Sequence, residues 1–164
     1  MRVTVEPPDP AAFAPLGAFI DAPHLAGERR FYSDWLRPAP GLSLQFHTNR
    51  VAASTLPLTV DRVEHHPHTA QAFVPLRVAR YLVTVMASDG RGRPDPASAR
   101  AFLVPTAIGV VYRAGTWHAN MTVLDEVGSF AVLMWRGAAD DDVVVPIEPI
   151  VVSASADDAR GGGA

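Results

Sequence analysis

Three of the chain's 6 histidines fall in one stretch, Glu64-His65-His66-Pro67-His68-Thr69-Ala70-Gln71. On an extended backbone, alternation puts Glu64, His66 and His68 on one face and His65 on the other. An H-x-H pair on one strand face is a metal-ligand spacing, and imidazole nitrogen suits zinc, nickel, copper or iron. The chain has no cysteine, so a metal here relies on nitrogen and oxygen donors, and neither a thiol nucleophile nor a disulfide framework is available. The second stretch with chemical potential is Gly109-Val110-Val111-Tyr112-Arg113-Ala114-Gly115-Thr116-Trp117-His118-Ala119-Asn120, where a glycine-containing turn precedes a lone histidine beside a tryptophan. An imidazole with an ordinary pKa of about 6.5 acts as a base near neutral pH, and His66 and His118 are both candidates. All 14 basic residues are arginine; the absence of lysine excludes Schiff-base chemistry, and the planar guanidinium fork suits small carboxylates.

These residues must be positioned by strands. With 164 residues and 48% hydrophobic content the chain reads as one globular domain, residues 1–153, followed by a small, acidic, glycine-ended tail, 154–164, expected to be flexible. Leu42, Leu44 and Phe46 alternate with polar residues; Tyr81 to Met86 is strand-like; Phe130, Val132 and Met134 alternate with their neighbours; Val143–Val145 and Ile147–Val152 supply more. Many short strands punctuated by 15 prolines favour an antiparallel barrel or sandwich over a parallel α/β sheet. Asp9-Pro10 and Asp95-Pro96 each place a capping carboxylate before a proline, which predicts two short helices, one to about Leu16 with a stop at Gly17, the other over roughly Pro96 to Ala101. Isolated Phe73 and Phe102 are read as core. A net charge of -3 with interspersed signs argues against nucleic acid and an anionic membrane surface as partners. There is no apolar run at the N-terminus and none of membrane-spanning length, so a cytoplasmic location is expected.

Gly115-x-x-His118 matches the core of the second cupin motif, and His66-x-His68 partly matches the first, although the nearest amide or acid downstream is Gln71, three positions on, rather than an acid four or five on. A closer resemblance spans nearly the whole chain: Phe13 to Gly17, Asn49-Arg50, Leu56-Pro57-Leu58-Thr59, His66-Pro67 followed by Gln71-Ala72-Phe73-Val74-Pro75, Pro94-Asp95, Arg100-Ala101-Phe102, Gly109-Val110 with Tyr112, and Trp117-His118. On these segments the chain resembles the ureidoglycolate lyases. The resemblance implies a mainly β, cupin-like antiparallel β-barrel of jelly-roll type, and cleavage of the C–N bond of ureidoglycolate to glyoxylate and urea in allantoin and purine degradation.

It also implies His66, His118 and Gln71 as catalytic groups, and Arg50, with Arg136 second, as the fork for the substrate carboxylate. Tyr112 and Trp117 would be substrate-binding. One divalent metal, nickel or similar, would be held by His66, His68, Gln71 and His118. A homodimer is expected, with the apolar run Val143 to Val152 as its edge. Some members carry a His and a Pro directly after the Trp-His pair, where this chain has Ala119 and Asn120. That departure keeps open a non-catalytic binder or sensor of a small carboxylic acid, and another metal-dependent cupin enzyme.

Overall fold

A computed structural model describes residues 1–155; most of the tail expected to be flexible, residues 156–164, lies outside the described residues. Among the described residues thirteen strands follow in chain order: β1 (Arg2–Glu6), β2 (Gly17–Ile20), β3 (Ser43–Val51), β4 (Ala53–Ser54), β5 (Leu58–His65), β6 (Gln71–Arg77), β7 (Arg80–Met86), β8 (Arg100–Pro105), β9 (Gly109–Tyr112), β10 (Trp117–His118), β11 (Thr122–Leu124), β12 (Gly128–Arg136) and β13 (Val143–Ser153). Helix is confined to α1 (Pro10–Phe13) and a 3-10 turn at Pro96–Ser98. Both begin as expected: the Asp9 carboxylate accepts from the backbone N–H groups of Ala11 and Ala12, and that of Asp95 from Ala97. Both end early. Arg100 and Ala101, taken as helical from the sequence, open β8, where Ala101 and Phe102 point to opposite buried faces. No helix among the described residues is long and apolar enough to cross a membrane.

Six strands close on themselves in the order β10-β5-β13-β1-β8-β7, because β10 pairs with β5 on one side and with β7 on the other. The antiparallel pattern expected from sequence holds for most ladders, but β1 runs parallel to both β13 and β8, and β11 parallel to β4. A second sheet, β2-β9-β6-β12-β3, packs against the ring. The two strand runs read at 143–145 and 147–152 form one strand, β13, with an irregularity between Pro146 and Ile150. It is paired by β5 along most of its length and by β1 only at Val151–Ser153, so among the described residues one side of 143–148 carries no ladder partner.

Alternate residues of β7 and β8 serve two cores, which explains why Tyr81 to Met86 is apolar without a polar face. Tyr81, Val83, Val85, Phe102 and Val104 pack toward the second sheet with Phe13, Phe19, Phe73, Val110 and Phe130, so Phe73 and Phe102 are core as read. Leu82, Met86, Ala101 and Leu103 turn into the ring with Val3, Val63, Ile150 and Val152. The outer face of the second sheet is part-covered by the β2–β3 connection: Trp35 and Leu36 pack over Ala72 and Val111, and the Trp135 indole donates to the Leu36 carbonyl at 3.0 Å. Gly17 sits where no side chain fits, since a Cβ there would lie 2.1 Å from the Val111 carbonyl oxygen.

Candidate active site

The two histidine stretches meet where the ring closes. Pro67 has no N–H to offer a ladder, so β5 ends at His65 and His66 leaves the sheet. The same break defeats the expected alternation, which required extended backbone as far as His68. On the other side β10 is a two-residue wedge that sets His118 opposite both Glu64 and Val85. Gly115 takes a positive φ of 79° in the turn before it, the role a turn glycine is suited to, and its N–H donates to the His66 carbonyl at 2.8 Å. One backbone hydrogen bond therefore stitches the two stretches together, and the His66 and His118 rings lie 5.3 Å apart, centroid to centroid.

Hydrogen bonding fixes which nitrogens are available. His118 Nδ1 donates to the Thr116 carbonyl at 2.8 Å, so in the neutral ring the lone pair is on Nε2. His66 Nδ1 faces the Asp141 carbonyl and Asp142 Oδ1, both at 3.0 Å, so its neutral ring also carries the lone pair on Nε2. What these Nε2 atoms face are acceptors: His118 Nε2 stands 3.5 Å from Glu64 Oε1, and His66 Nε2 stands 3.1 Å from Gln71 Oε1. His118 Nε2 is buried without a hydrogen-bond partner. One donor atom from each of Glu64, His66 and His118 lies within 4.8 Å of the others. Lone pairs turned on one another at these distances repel unless protons or a cation stand between them. The separations of 3.1 and 3.5 Å are those of neighbouring ligands around an ion with bonds of about 2.1 Å. With a proton on Nε2, the His118 ring donates to the Glu64 carboxylate and holds it below its usual range, against the opposing effect of burial.

The supports around this cluster are packed. Tyr112 stacks on His118 at 4.2 Å and 13°, and burial pushes its phenol pKa well up. Trp117 packs on His65 with ring centroids 4.0 Å apart and a tilt of 37°, and donates its indole N–H to the Gly92 carbonyl at 3.3 Å. Arg136 grips Asp142 with both guanidinium NH2 groups, and Asp141 accepts from the N–H groups of Gly137 and Ala138, which ties down the turn that holds His66.

Above the cluster opens a cavity of about 290 Å³ lined by His47, Asn49, Val51, Glu64, Gln71, Phe73, Asn120, Met121 and Val132. The structure thus brings together His66, His118 and Gln71, and places other expected site residues elsewhere. His68 is turned outward, its side chain 42% exposed and paired with Asp140 at 2.7 Å. Arg50 is exposed and has the opposite strand parity from His47, Asn49 and Val51, so it points away from the cavity. Arg136 is committed to Asp142, while Tyr112 and Trp117 buttress histidines and do not line the cavity. Of the departing pair, Ala119 is buried in the ring core and Asn120 lies on the cavity wall.

Four participants went unselected in the sequence. Glu64 shares the expected face with His66 but precedes the H-x-H pair, whereas the cupin pattern directs attention to an acid after it. Asp142 lies far along the chain from His66, with no local signal. His47 and Asn49 alternate on β3, yet the strand's phase is set by its ladder with β12, from Ser43↔Arg136 to Val51↔Gly128, and is not visible locally.

A closed, mainly β barrel with two histidines and a carboxylate converging where it seals is a cupin-type protein with a site able to hold a cation. The chain belongs to the ureidoglycolate lyase family, whose pattern matches residues 1–153. Relatives named ureidoglycolate lyase include one from Chelativorans sp. (strain BNC1), 32% identical over 80% of this chain and 84% of that protein. Another, from Brucella ovis, is 32% identical over 85% of this chain and 86% of its own length. One from Burkholderia cepacia is 37% identical over 60% of this chain and 55% of its own.

Proposed function

We propose that the protein cleaves ureidoglycolate to glyoxylate and urea, in allantoin and purine degradation, with one divalent cation such as nickel held by Glu64, His66 and His118 and with Gln71 beside it. The observation that carries this reading is the pair of acceptor-to-acceptor contacts beside a cavity that Glu64 and Gln71 line and that, among the described residues, no arginine lines. A cation there would bind the substrate hydroxyl and carboxylate and lower the hydroxyl's pKa. It would also resolve an electrostatic problem: the substrate is an anion, and Glu64 alone gives the cavity the same sign. Glu64 takes the ligand position for which His68 was expected.

The reaction needs no nucleophile, in keeping with a chain without cysteine or lysine. The hydroxyl proton leaves as the C=O of glyoxylate forms, the C–N bond breaks, and the departing nitrogen gains a proton to complete urea. With His66 and His118 engaged as ligands, His47, which lines the cavity and has no hydrogen-bond partner among the described residues, is the imidazole left to take the first proton and deliver the second. Phe73 and Val132 give the floor an apolar side. A homodimer in the cytosol completes the reading; β3, an edge strand with exposed Leu44 and Phe46, offers a contact beside the open side of the Val143 to Val152 run.

The direct test supplies purified protein with racemic ureidoglycolate and follows urea and glyoxylate, with and without added Ni²⁺. Release well above the spontaneous rate is expected. Release at the spontaneous rate under both conditions overturns the reading.

A further inference from the structure

The nitrogen on which the cation reading depends is shut away from solvent. His118 Nε2 is buried without a partner, and the cavity beside it is walled by Glu64 and Gln71, with neither His66 nor His118 on its lining. An ion in the cavity therefore has no path to that lone pair while every group keeps its place. The ladders around His118 show which side can give way. On one side β10 is held to β7 at Trp117↔Met86 and His118↔Val85, the Ala119 N–H donates to the Thr84 carbonyl at 2.9 Å, and β11 continues along the same strand. On the other side β10 meets β5 at the single pair His118↔Glu64. β5 itself is secured from behind by β13, from His65↔Val143 to Leu58↔Val152. Past the single pair the two flanks part. A cavity of about 270 Å³ lies between Leu58–Arg62 on the β5 side and Ala119, Asn120 and Thr122 on the other, so no ladder reinforces the seam there. Asn120 lines this gap and the site cavity alike, which makes the two neighbours.

Resting on the cation reading above, we infer that the β5–β10 seam is a gate: it opens locally to admit the cation to His118 Nε2, and the cation, held by Glu64 on one flank and His118 on the other, clamps it shut. Local opening is easiest where few backbone hydrogen bonds and little packing are lost. Here the losses are the pair His118↔Glu64, the bond from the Gly115 N–H to the His66 carbonyl, and the contact of Trp117 with His65 across the seam. His118 stays with β7 and stacked on Tyr112, while Glu64 and His66 move with the β5 flank. The competing route is a swing of the Glu64 side chain, which uncovers the nitrogen and leaves the backbone alone.

Two backbone amides tell the routes apart, because Gly115 bonds across the seam whereas Ala119 bonds away from it, to Thr84. In the metal-free protein, hydrogen exchange followed by NMR spectroscopy should be at least about tenfold less protected at Gly115 than at Ala119. It should also change little in low urea, since a local opening exposes little surface. His65→Ala removes the ring contact across the seam without touching a ligand, and a ring contact of this kind is worth about a three- to tenfold change in the open population. Exchange at Gly115 and the rate of Ni²⁺ uptake, read by tryptophan quenching, should therefore rise together in His65→Ala by that factor. Gly115 as protected as Ala119 in the wild type overturns the gate. So does a His65→Ala protein in which either rate stays at the wild-type value; faster exchange with unchanged uptake would point to the Glu64 swing. These readouts need no substrate, so absence of ureidoglycolate turnover counts against the lyase reading by itself, while a protein that takes up no Ni²⁺ overturns the cation reading and the gate together.

Discussion

Replacing Asp142 by Asn should weaken Ni²⁺ binding without unfolding the protein. In the native arrangement Asp142 Oδ1 accepts from His66 Nδ1 at 3.0 Å while Arg136 holds the carboxylate from the other side. That contact keeps the proton on Nδ1 and leaves Nε2 free to face Glu64 and His118. An asparagine can turn its NH2 to Nδ1, which favours the opposite tautomer and points a hydrogen into the space a cation would occupy. Loss of such a supporting partner of a histidine ligand typically lowers metal affinity by about 10–100-fold, or about 1.4–2.8 kcal/mol. The Asp141 carbonyl, also at 3.0 Å, continues to accept from Nδ1, so binding is reduced and not abolished. Stability should move by less than about 1 kcal/mol, because the Asp142 side chain is 37% exposed and Arg136 keeps Asp141 within 3.8 Å. Competition against a chromophoric chelator measures the affinity, and a urea titration measures the stability. Nickel affinity within about twofold of wild type in Asp142→Asn would refute the reasoning that His66 Nε2 is aimed at a cation by its opposite nitrogen.

Other outcomes follow from the same geometry. Glu64→Gln should weaken Ni²⁺ binding more than Asp142→Asn does, while His68→Ala leaves both binding and turnover near wild type, read by the same chelator competition and by glyoxylate release. His47→Asn should lower kcat by about 100-fold or more with nickel affinity unchanged, the signature of a proton-transfer group and not of a ligand. Gly17→Ala should destabilise by about 3 kcal/mol in urea unfolding, because the new Cβ would lie 2.1 Å from the Val111 carbonyl oxygen, a backbone atom that cannot swing aside. Stability should be level at neutral pH and fall in acid. Burial holds His65 below its ordinary pKa, so its contribution is present above about pH 6.5 and is lost as pH falls. Glu64 beside His118, Asp125 beside Arg80, Asp140 beside His68 and Asp142 beside Arg136 are held low as well, and add losses as pH drops below about 4. A urea midpoint that is flat down to about pH 3 would contradict these pairings.

Local chemistry carried much of the fold into the sequence, and failed where distant strands decide. Asp9 and Asp95 were readable as caps because a capping carboxylate acts on N–H groups two or three residues ahead. Arg100 was not readable as strand, because what makes it one is the ladder to β7 and the parallel contact with β1, almost a hundred residues away. At the site, His66 and His118 stood out by residue type and by the turn glycine before His118. Arg50 was chosen, ahead of Arg136, as a fork for a carboxylate, and its outward placement is a matter of phase: adjacent strand residues face opposite ways, and only the register with β12 says which of them looks inward. Tyr112 and Trp117 were aromatic and close to His118 in sequence, which is what a buttress requires as much as a substrate wall.

Closure of the barrel and assembly of the site are a single event in this molecule. β10 contributes only two residues, yet it is the strand that seals the ring, and one of the two is His118. Its partner on β5 is Glu64, the residue that faces His118 Nε2, so the last pair of the closing ladder is also the pair that leaves an unpartnered nitrogen in the interior. The Gly115 N–H bond to the His66 carbonyl adds the third group to the same seam. A closing strand this short supplies little backbone hydrogen bonding of its own, and the packing of its two side chains, Trp117 on His65 and His118 on Tyr112, makes up part of the deficit. The seam brings side chains from three separate segments, Glu64 with His66, His118 and Asp142, to face one another, and the residues found there are those with lone pairs to share.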